Sequence, residues 1–201
     1  MKNKKIILFI FIILIIIFGI IPGIKMIKKT KSGNNISSQE IVDKILNINS
    51  YIAKIKVQIN SNKNKNIYIL RQEYNTENGF VQEVIEPTNI AGVKIIRKDN
   101  ILTIENTELD LKTIFENYNG LENNNLDLIN FINEYKENDK SFFEEKNSEI
   151  ILKTSSEKDN IYQKNKVLYI DKNNIIPTKL IVQDYNQNST IIIEYNEIEL
   201  N

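Results

Sequence analysis

The chain has 201 residues, 26 basic and 26 acidic side chains, and neither cysteine nor histidine. Without cysteine it cannot form disulfides, thiolate nucleophiles or sulfur–metal sites, and without histidine it cannot form Ser-His-Asp, Cys-His or His-rich zinc sites. Residues 1–31 hold seven lysines and no acid, so the remainder has 19 basic and 26 acidic residues, an unfavourable balance for nucleic-acid binding. We expect no metal, cofactor or nucleic-acid partner.

The first 31 residues predict a membrane segment. Ile6–Ile24 is an apolar run of 19 residues, and as a helix it would be about 30 Å long, enough to span a bilayer core. Signal peptides have shorter apolar regions and small residues at the cleavage site, whereas Ile21-Pro22-Gly23 does not resemble such a site. We therefore favour an uncleaved anchor over a cleaved signal peptide.

The orientation of this anchor follows from its short N-terminus. Lysines flank both ends of the apolar run, so the positive-inside rule gives almost no preference. Because a very short N-terminus usually stays inside, we expect a single-pass protein of the cell membrane with its domain on the extracytoplasmic side.

A polar linker, residues 32–37, leads into a domain at 38–201 that begins with a helix and five strands. Ser37 and Glu40 form a capping-box pattern before a helix predicted at about 38–49. Alternating apolar residues and short polar turns then predict five antiparallel strands. The predicted strands are 51–60, 67–74, 80–86, 93–98 and 101–106.

The middle of the domain, residues 109–147, predicts a helical insert. The stretch 109–118 fits a helix or a loose excursion, and 123–138 fits a better helix, with Asn125 as its cap and Asp127 near its positive end. Four further strands are predicted at about 149–155, 161–171, 178–185 and 190–199.

These elements predict an α+β, mainly β fold, in which a curved antiparallel half-barrel sheet of about nine strands is covered by helices and preceded by the N-terminal transmembrane helix. Such a sheet either packs solid or encloses an apolar cavity. The candidate cavity-facing or core-facing residues are Ile55, Val57, Ile59, Ile67, Ile69, Ile95, Leu128, Ile129 and Ile132.

Carboxylates are the remaining candidates for catalysis. Paired acids catalyse hydrolysis when their surroundings separate their pKa values. The candidates are Glu73, Glu83, Glu86, Asp171 and Asp184, which fall at solvent-facing strand positions or in turns. We favour a solvated role for them and predict no catalytic residue.

The order of motifs resembles the LolA/LolB-like superfamily of lipoprotein-carrier domains. A helix leads into "SYIAKIKVQI", a hairpin leads to "VIEPTNIAGVKIIRKDNILTIEN" with Pro87 and Gly92, and the end reads "YIDKNNIIPTKLIVQDYNQNSTIIIEYNEIELN". The matching positions in this last block are Ile170, Asp171, Pro177, Lys179, Asp184, Ile198, Leu200 and Asn201. The resemblance covers most of residues 37–201, and the middle insert fits it least.

This resemblance implies a half-open antiparallel barrel with a helical lid and no catalytic site. In carriers of that superfamily the apolar concavity shelters acyl chains. In low-GC spore formers, similar domains include the GerS-type germination proteins, which work with an amidase of cortex peptidoglycan. For a protein of that kind, the resemblance implies that the extracytoplasmic side includes the space between forespore and mother cell. Those proteins are typically lipoproteins, and this chain differs because it has no cysteine to lipidate.

Four functions remain open on this reading. The first is a non-catalytic, membrane-anchored binding protein that acts in sporulation or germination through a cell-wall amidase. The second is a carrier of lipid or lipoprotein acyl chains, and the third is a hydrolase that uses carboxylates alone. The fourth is a purely structural sensor or scaffold module of the cell envelope. An open apolar cavity would favour the carrier, and a filled inner face would favour binding to a protein.

Overall fold

A computed structural model describes residues 36–118, 125–155 and 162–201, so the predicted membrane segment lies outside the described residues. Residues Ser37–Asn201 form one compact unit. Two helices and eleven strands are described. The helices are α1 (Ser38–Leu46) and α2 (Leu128–Glu137); the strands are β1 (Ser50–Asn60), β2 (Lys65–Asn75), β3 (Gly79–Glu86), β4 (Val93–Lys98), β5 (Ile101–Asn106), β6 (Leu111–Phe115), β7 (Phe142–Lys146), β8 (Glu149–Ser155), β9 (Asn165–Asp171), β10 (Ile176–Gln183) and β11 (Ser189–Leu200).

All eleven strands form one open antiparallel sheet in the order β6-β5-β4-β3-β2-β1-β11-β10-β9-β8-β7. The sheet consists of two meanders, β1–β6 and β7–β11, in which each strand pairs with its neighbours in sequence. Strand β1 joins the two meanders by pairing with β11, from Tyr51 opposite Leu200 to Ile59 opposite Ile191, with one bulge after Lys54. The first and last strands therefore lie at the centre of the sheet.

The mainly β, antiparallel prediction is confirmed, but the expected number of strands was too small. Strands β6 and β7 come from the stretch predicted as a helical insert. Each has five residues and pairs with a single neighbour, at opposite edges of the sheet. Their short length and their mixture of apolar and charged residues gave no clear alternation to read from sequence.

Helix α1 begins where its capping box predicts. The Ser37 N–H donates to Glu40 Oε2 at 2.7 Å, and the Glu40 N–H donates to Ser37 Oγ at 3.2 Å, so two otherwise free donors are satisfied. The helix ends at Leu46, three residues before the predicted end, where the Asn47 N–H closes the last turn on Asp43. The remaining residues before β1 are not helical.

Helix α2 is capped by Asp127, and not by Asn125 as predicted. The Ile129 N–H donates to Asp127 Oδ1 at 2.9 Å, while Asn125 lies in a turn that precedes the helix. A carboxylate at this position also favours the positive end of the helix dipole. The correction matters for the site because Asp127 is buried.

The two faces of the sheet differ in burial. We call the face that carries Tyr51, Ala53, Ile55 and Val57 the inner face; on β1 these four residues are at most 1 % exposed. The intervening residues, among them Lys54 and Lys56, define the outer face. The helices bury their apolar stripes to complete the core; these residues are Ile41, Val42 and Ile45 on α1, and Leu128, Phe131 and Ile132 on α2. Burial of each such side chain contributes about 1.5–3 kcal/mol.

Candidate binding surface

A buried polar cluster fixes the N-terminus of α2 to the inner face. Asp127 caps the helix through Oδ1, which also accepts a hydrogen bond from the Tyr51 hydroxyl at 3.2 Å. Its second oxygen, Oδ2, accepts a hydrogen bond from the Arg97 guanidinium on β4. One carboxylate thus joins α2 to strands β1 and β4.

Gln72 extends this cluster across β2 and β3. Its Nε2 donates to Gln82 Oε1 at 3.0 Å and to the Leu126 carbonyl at 2.9 Å. Its Oε1 lies 3.3 Å from the Tyr51 hydroxyl and shares the single proton of that hydroxyl with Asp127. Gln72 is fully buried and Gln82 is 5 % exposed. Because buried amides need partners, these bonds hold the segment before α2 in one position on the sheet.

The charged groups of the cluster compensate each other within the core and have a structural role. Burial raises the pKa of the Asp127 carboxyl, and the Arg97 guanidinium and the hydrogen bonds to Asp127 oppose that rise. Arg97 lies over the Phe80 ring at 4.1 Å, a cation–π contact that offsets part of the cost of burying its charge. Burial also raises the pKa values of Tyr51 and Tyr195. All of these groups are enclosed, so a substrate has no direct access to them.

The centre of the inner face is filled by side chains. Residues from both meanders and from α2 meet there with no exposed surface. They include Ile55, Val57, Leu128, Ile150, Leu152, Leu168, Leu180 and Ile193. Such packing leaves no room for an acyl chain at this part of the sheet.

The inner face of β4–β6 is more exposed. We call this surface the open wing, and its apolar residues are Ile95, Leu102, Ile104, Leu111 and Phe115, which the strand register places side by side. Ile95 and Leu102 are half-buried, whereas Ile104, Leu111 and Phe115 are exposed. Exposed apolar surfaces of this kind mark interaction sites.

The predicted cavity-facing residues fall into three groups, which are buried, half-buried and on the outer face. Ile55, Val57, Leu128 and Ile132 are buried in the filled centre, and Ile59, Ile95 and Ile129 are half-buried. Ile67 and Ile69 require a correction, because they pair with Gln58 and Lys56 and so lie on the outer face. Ile67 is 46 % exposed. The inner positions of β2 belong to Tyr68, Leu70 and Gln72.

Five of the positions that carry the family resemblance, Pro87, Gly92, Asp171, Pro177 and Asp184, lie in or next to three separate turns. Pro87, which follows a cis peptide bond, and Gly92, with φ of +80°, lie between β3 and β4. Asp171 accepts the Asn173 N–H at 3.0 Å in the turn before Pro177, and Asp184 accepts the Asn188 N–H at 2.7 Å before β11. They shape the turns of the sheet and do not converge on one site.

The candidate catalytic carboxylates do not form a pair. Glu73 makes an ion pair with Arg71 at 2.7 Å on the outer face, and Glu83 faces the same way beside it. Hydrogen bonds from Asn188 lower the pKa of Asp184. Within the described residues, no group of three or more acidic side chains is placed to hold a metal ion.

Sequence reasoning missed Arg97 and Gln72 as inner-face residues. Both lie on strands that it predicted correctly, but a polar side chain in an alternating pattern is normally assigned to the solvent face. Their true face becomes evident only from the register, which places Gln72 opposite Ala53 and Arg97 opposite Phe80. One signal was present in the sequence. Arg97 lies two residues after Ile95, so the alternation of a strand places both side chains on the same face.

In the ranges that the structure describes, neither helix has the length and apolarity needed to cross a bilayer. The domain is a mainly β unit, in which two helices lie on one face of an open antiparallel sheet. The chain belongs to the family of YdcC-like sporulation proteins, whose model matches residues 3–201. A search of curated proteins finds no match.

Several solved structures are similar to this chain, and those with TM-scores above 0.5 share its fold. The GerS lipoprotein–CwlD amidase complex from Clostridioides difficile matches with a TM-score of 0.54 and 23% identity, over 81% of this chain and 93% of the matched chain. An uncharacterized conserved protein from Thermus thermophilus matches with a TM-score of 0.53 and 12% identity, over 81% and 86%. The LolA superfamily protein NE2245 from Nitrosomonas europaea matches with a TM-score of 0.41 and 13% identity, over 82% and 94%. The resemblance predicted from sequence is confirmed by the family and by the first of these folds.

Proposed function

We propose that the chain is a non-catalytic binding protein of sporulation or germination that acts through a cell-wall amidase of the spore cortex. The domain is held at the membrane by residues 1–31 and lies on the extracytoplasmic side. Membership of a sporulation family supports the process. The GerS lipoprotein, which has a similar fold and was solved in complex with the CwlD amidase, supports the class of partner.

The observation that carries the proposal is the filled centre of the inner face. A carrier needs an apolar space for acyl chains, yet residues such as Ile55, Leu152 and Leu168 have no exposed surface. The open wing has the opposite character, because its exposed apolar side chains lie on a strand pair that ends the sheet. A protein partner can cover such a surface without any cavity.

The test is co-purification of the full chain with the cortex amidase from sporulating cells. Ile104→Lys places a charge on the open wing, where the side chain is 37 % exposed. Ile67→Lys is the matched control, because Ile67 is similarly exposed but lies on the outer face. We expect Ile104→Lys to abolish recovery of the amidase and Ile67→Lys to leave it unchanged. Equal recovery with both variants would exclude the open wing as the interface.

Acyl-chain carriage is the alternative that the same preparation tests. Native mass spectrometry of the purified chain would reveal a bound lipid as a discrete mass increment. A stoichiometric lipid, together with no amidase in the co-purification, would overturn the proposal in favour of a carrier. Amidase recovery without lipid supports it.

The membrane arrangement has its own experiment. The chain lacks cysteine, so Asn62→Cys in the exposed turn between β1 and β2 would create a single thiol. Labelling in intact cells by a membrane-impermeant maleimide is expected if the domain is extracytoplasmic. Labelling only after lysis would reverse the orientation, and release of the chain by alkaline carbonate would exclude an anchor.

A further inference from the structure

The two edges of the sheet are protected to different degrees. An exposed edge strand presents unpaired backbone groups to other chains, and proteins usually blunt it with charges, proline, bulges or a covering element. Strand β7 ends one side of the sheet and strand β6 ends the other. A comparison of these two strands shows which edge is suited to pairing.

Strand β7 is blunted by charge and by α1. Three of its five residues, Glu144, Glu145 and Lys146, are charged. Glu145 lies on the inner-face side, opposite Ile150, and its carboxylate accepts hydrogen bonds from Ser38 on α1 and from Lys172. A second strand at this edge would have to displace or desolvate these groups.

Within the part of the chain that the structure describes, strand β6 lacks such protection. It has the sequence LKTIF, without proline or glycine, and its ladder with β5 runs without a bulge. Its one charge, Lys112, is directed to Glu105 of its own sheet at 3.7 Å. All five residues are exposed, with Leu111 at 61 %, Ile114 at 53 % and Phe115 at 43 %.

The sequence of β6 is complementary to itself in the antiparallel direction. The pairing that uses all five residues is centred on Thr113, which then lies opposite Thr113 of a second copy. Leu111 lies opposite Phe115 of that copy on the inner face, and Lys112 lies opposite Ile114 on the outer face. No like charges oppose each other, whereas a shift by two residues centred on Lys112 would place two ammonium groups together.

We propose that β6 is a homotypic pairing edge, through which two copies of the chain join about a two-fold axis at Thr113. The contact is isologous and therefore closes as a dimer without leaving β6 free for further copies. The inner faces of the two open wings become continuous, with the Leu111–Phe115 pairs at the join. The ring centroids of Phe115 and Tyr118 are 6.4 Å apart, so an aromatic pair lies next to that join. The dimer does not depend on the proposed amidase partner.

Cysteine cross-linking of the full chain in its membrane tests the dimer. The chain has no native thiol, so Thr113→Cys would place two cysteines directly opposite each other at the axis, with Cβ atoms about 5 Å apart. Oxidation by copper phenanthroline, which accepts the two electrons, is expected to give a covalent dimer. Glu144→Cys, at the middle of β7, is the matched control and is expected to remain monomeric.

A charge pair of variants tests the register. In the Thr113→Cys background, Ile114→Lys would place a lysine opposite Lys112 of the second copy, whereas Ile114→Glu would place a carboxylate there. Both variants change the same exposed position, so they differ mainly in the sign of the new charge. We expect Ile114→Lys to lower the yield of dimer by roughly tenfold and Ile114→Glu to preserve it.

The proposal is overturned by any of three results. The first is cross-linking of Thr113→Cys no greater than that of Glu144→Cys. The second is equal loss of dimer in both Ile114 variants. The third is a disulfide from Thr113→Cys to a different protein, which would identify β6 as the edge for a heterologous partner.

Discussion

The guanidinium of Arg97 on β4 donates a hydrogen bond to Oδ2 of Asp127, the residue that caps α2, and both side chains are less than a tenth exposed. The pair connects the β4–β6 side of the sheet to the helix that covers its centre. Both charges are removed from water, so each depends on the other for compensation. The interaction free energy of this pair is therefore a sensitive measure of how strongly the open wing is attached to the core.

Replacement of Arg97 by methionine should destabilise the domain strongly. The change leaves the Asp127 carboxylate buried without its cation, and the loss of one partner of a buried pair costs about 3–5 kcal/mol. Chemical denaturation of a fragment from residue 32 onward, which contains the compact unit Ser37–Asn201, would measure this loss.

The double variant Arg97→Met/Asp127→Asn is the control for this prediction. Asparagine remains a good helix cap, and the uncompensated charge is gone, so we expect most of the stability to return. A single variant that loses less than about 1 kcal/mol would show that the pair contributes little.

Two buried tyrosines should respond differently to the loss of their hydroxyl groups. The Tyr51 hydroxyl bonds to Asp127 and Gln72, so Tyr51→Phe should cost about 1–3 kcal/mol. Among the described residues, the buried Tyr195 hydroxyl has no hydrogen-bond partner, so Tyr195→Phe should be neutral or stabilising. The same denaturation measurement separates them, and an equal loss from both would contradict the assigned network.

The stability of the domain should fall in alkaline solution. Burial raises the pKa values of Tyr51 and Tyr195 above their ordinary value of 10.0. Above that pH the unfolded chain loses phenolic protons while the folded chain keeps them, so stability present below the ordinary pKa is lost as the pH rises. Unfolding measured from about pH 9 to about pH 11 should show this decline, and Tyr195→Phe should make it shallower. Identical slopes would exclude Tyr195 as a contributor.

Alanine variants at two glycines with similar backbone angles test the effect of a close contact between a new Cβ atom and the neighbouring backbone. Gly79 and Gly92 have φ of +82° and +80°, so alanine at either position incurs the left-handed cost of about 1–2 kcal/mol. A Cβ at Gly79 would lie 2.1 Å from the Arg97 carbonyl oxygen, whereas at Gly92 the nearest atom is 3.8 Å away. Gly79→Ala should therefore lose at least about 2 kcal/mol more than Gly92→Ala, as measured by thermal unfolding.

The sequence was sufficient to predict α1 and the strands with clear alternation. Ser37 and Glu40 determine the start of α1, and the four inner residues of β1 repeat with the period of a strand. In β2 the run Ile67-Tyr68-Ile69-Leu70 is apolar at every position, so periodicity could not decide which residues face the core. The pairing with β1 decides it, and that pairing depends on contacts distant in sequence.

The candidate surface was less accessible to prediction. Strand β6 has apolar residues on both faces, with Leu111 and Phe115 on the inner face and Ile114 on the outer face, so it lacks the alternating pattern of a half-buried strand. The Arg97–Asp127 pair joins residues thirty positions apart, and neither residue carries a local signal for burial. Both features result from tertiary packing.

The pairing of β1 with β11 also sets an order for folding. A ribosome delivers β1 early, and β2–β6 can pair on one side of it as soon as they emerge. The opposite side of β1 has to wait for Ser189–Leu200, more than a hundred residues later. Closure of such a distant contact is slow, so each meander has time to assemble before the two are joined. Until then the centre of the mature sheet is a temporary edge, and a nascent chain needs protection there most of all.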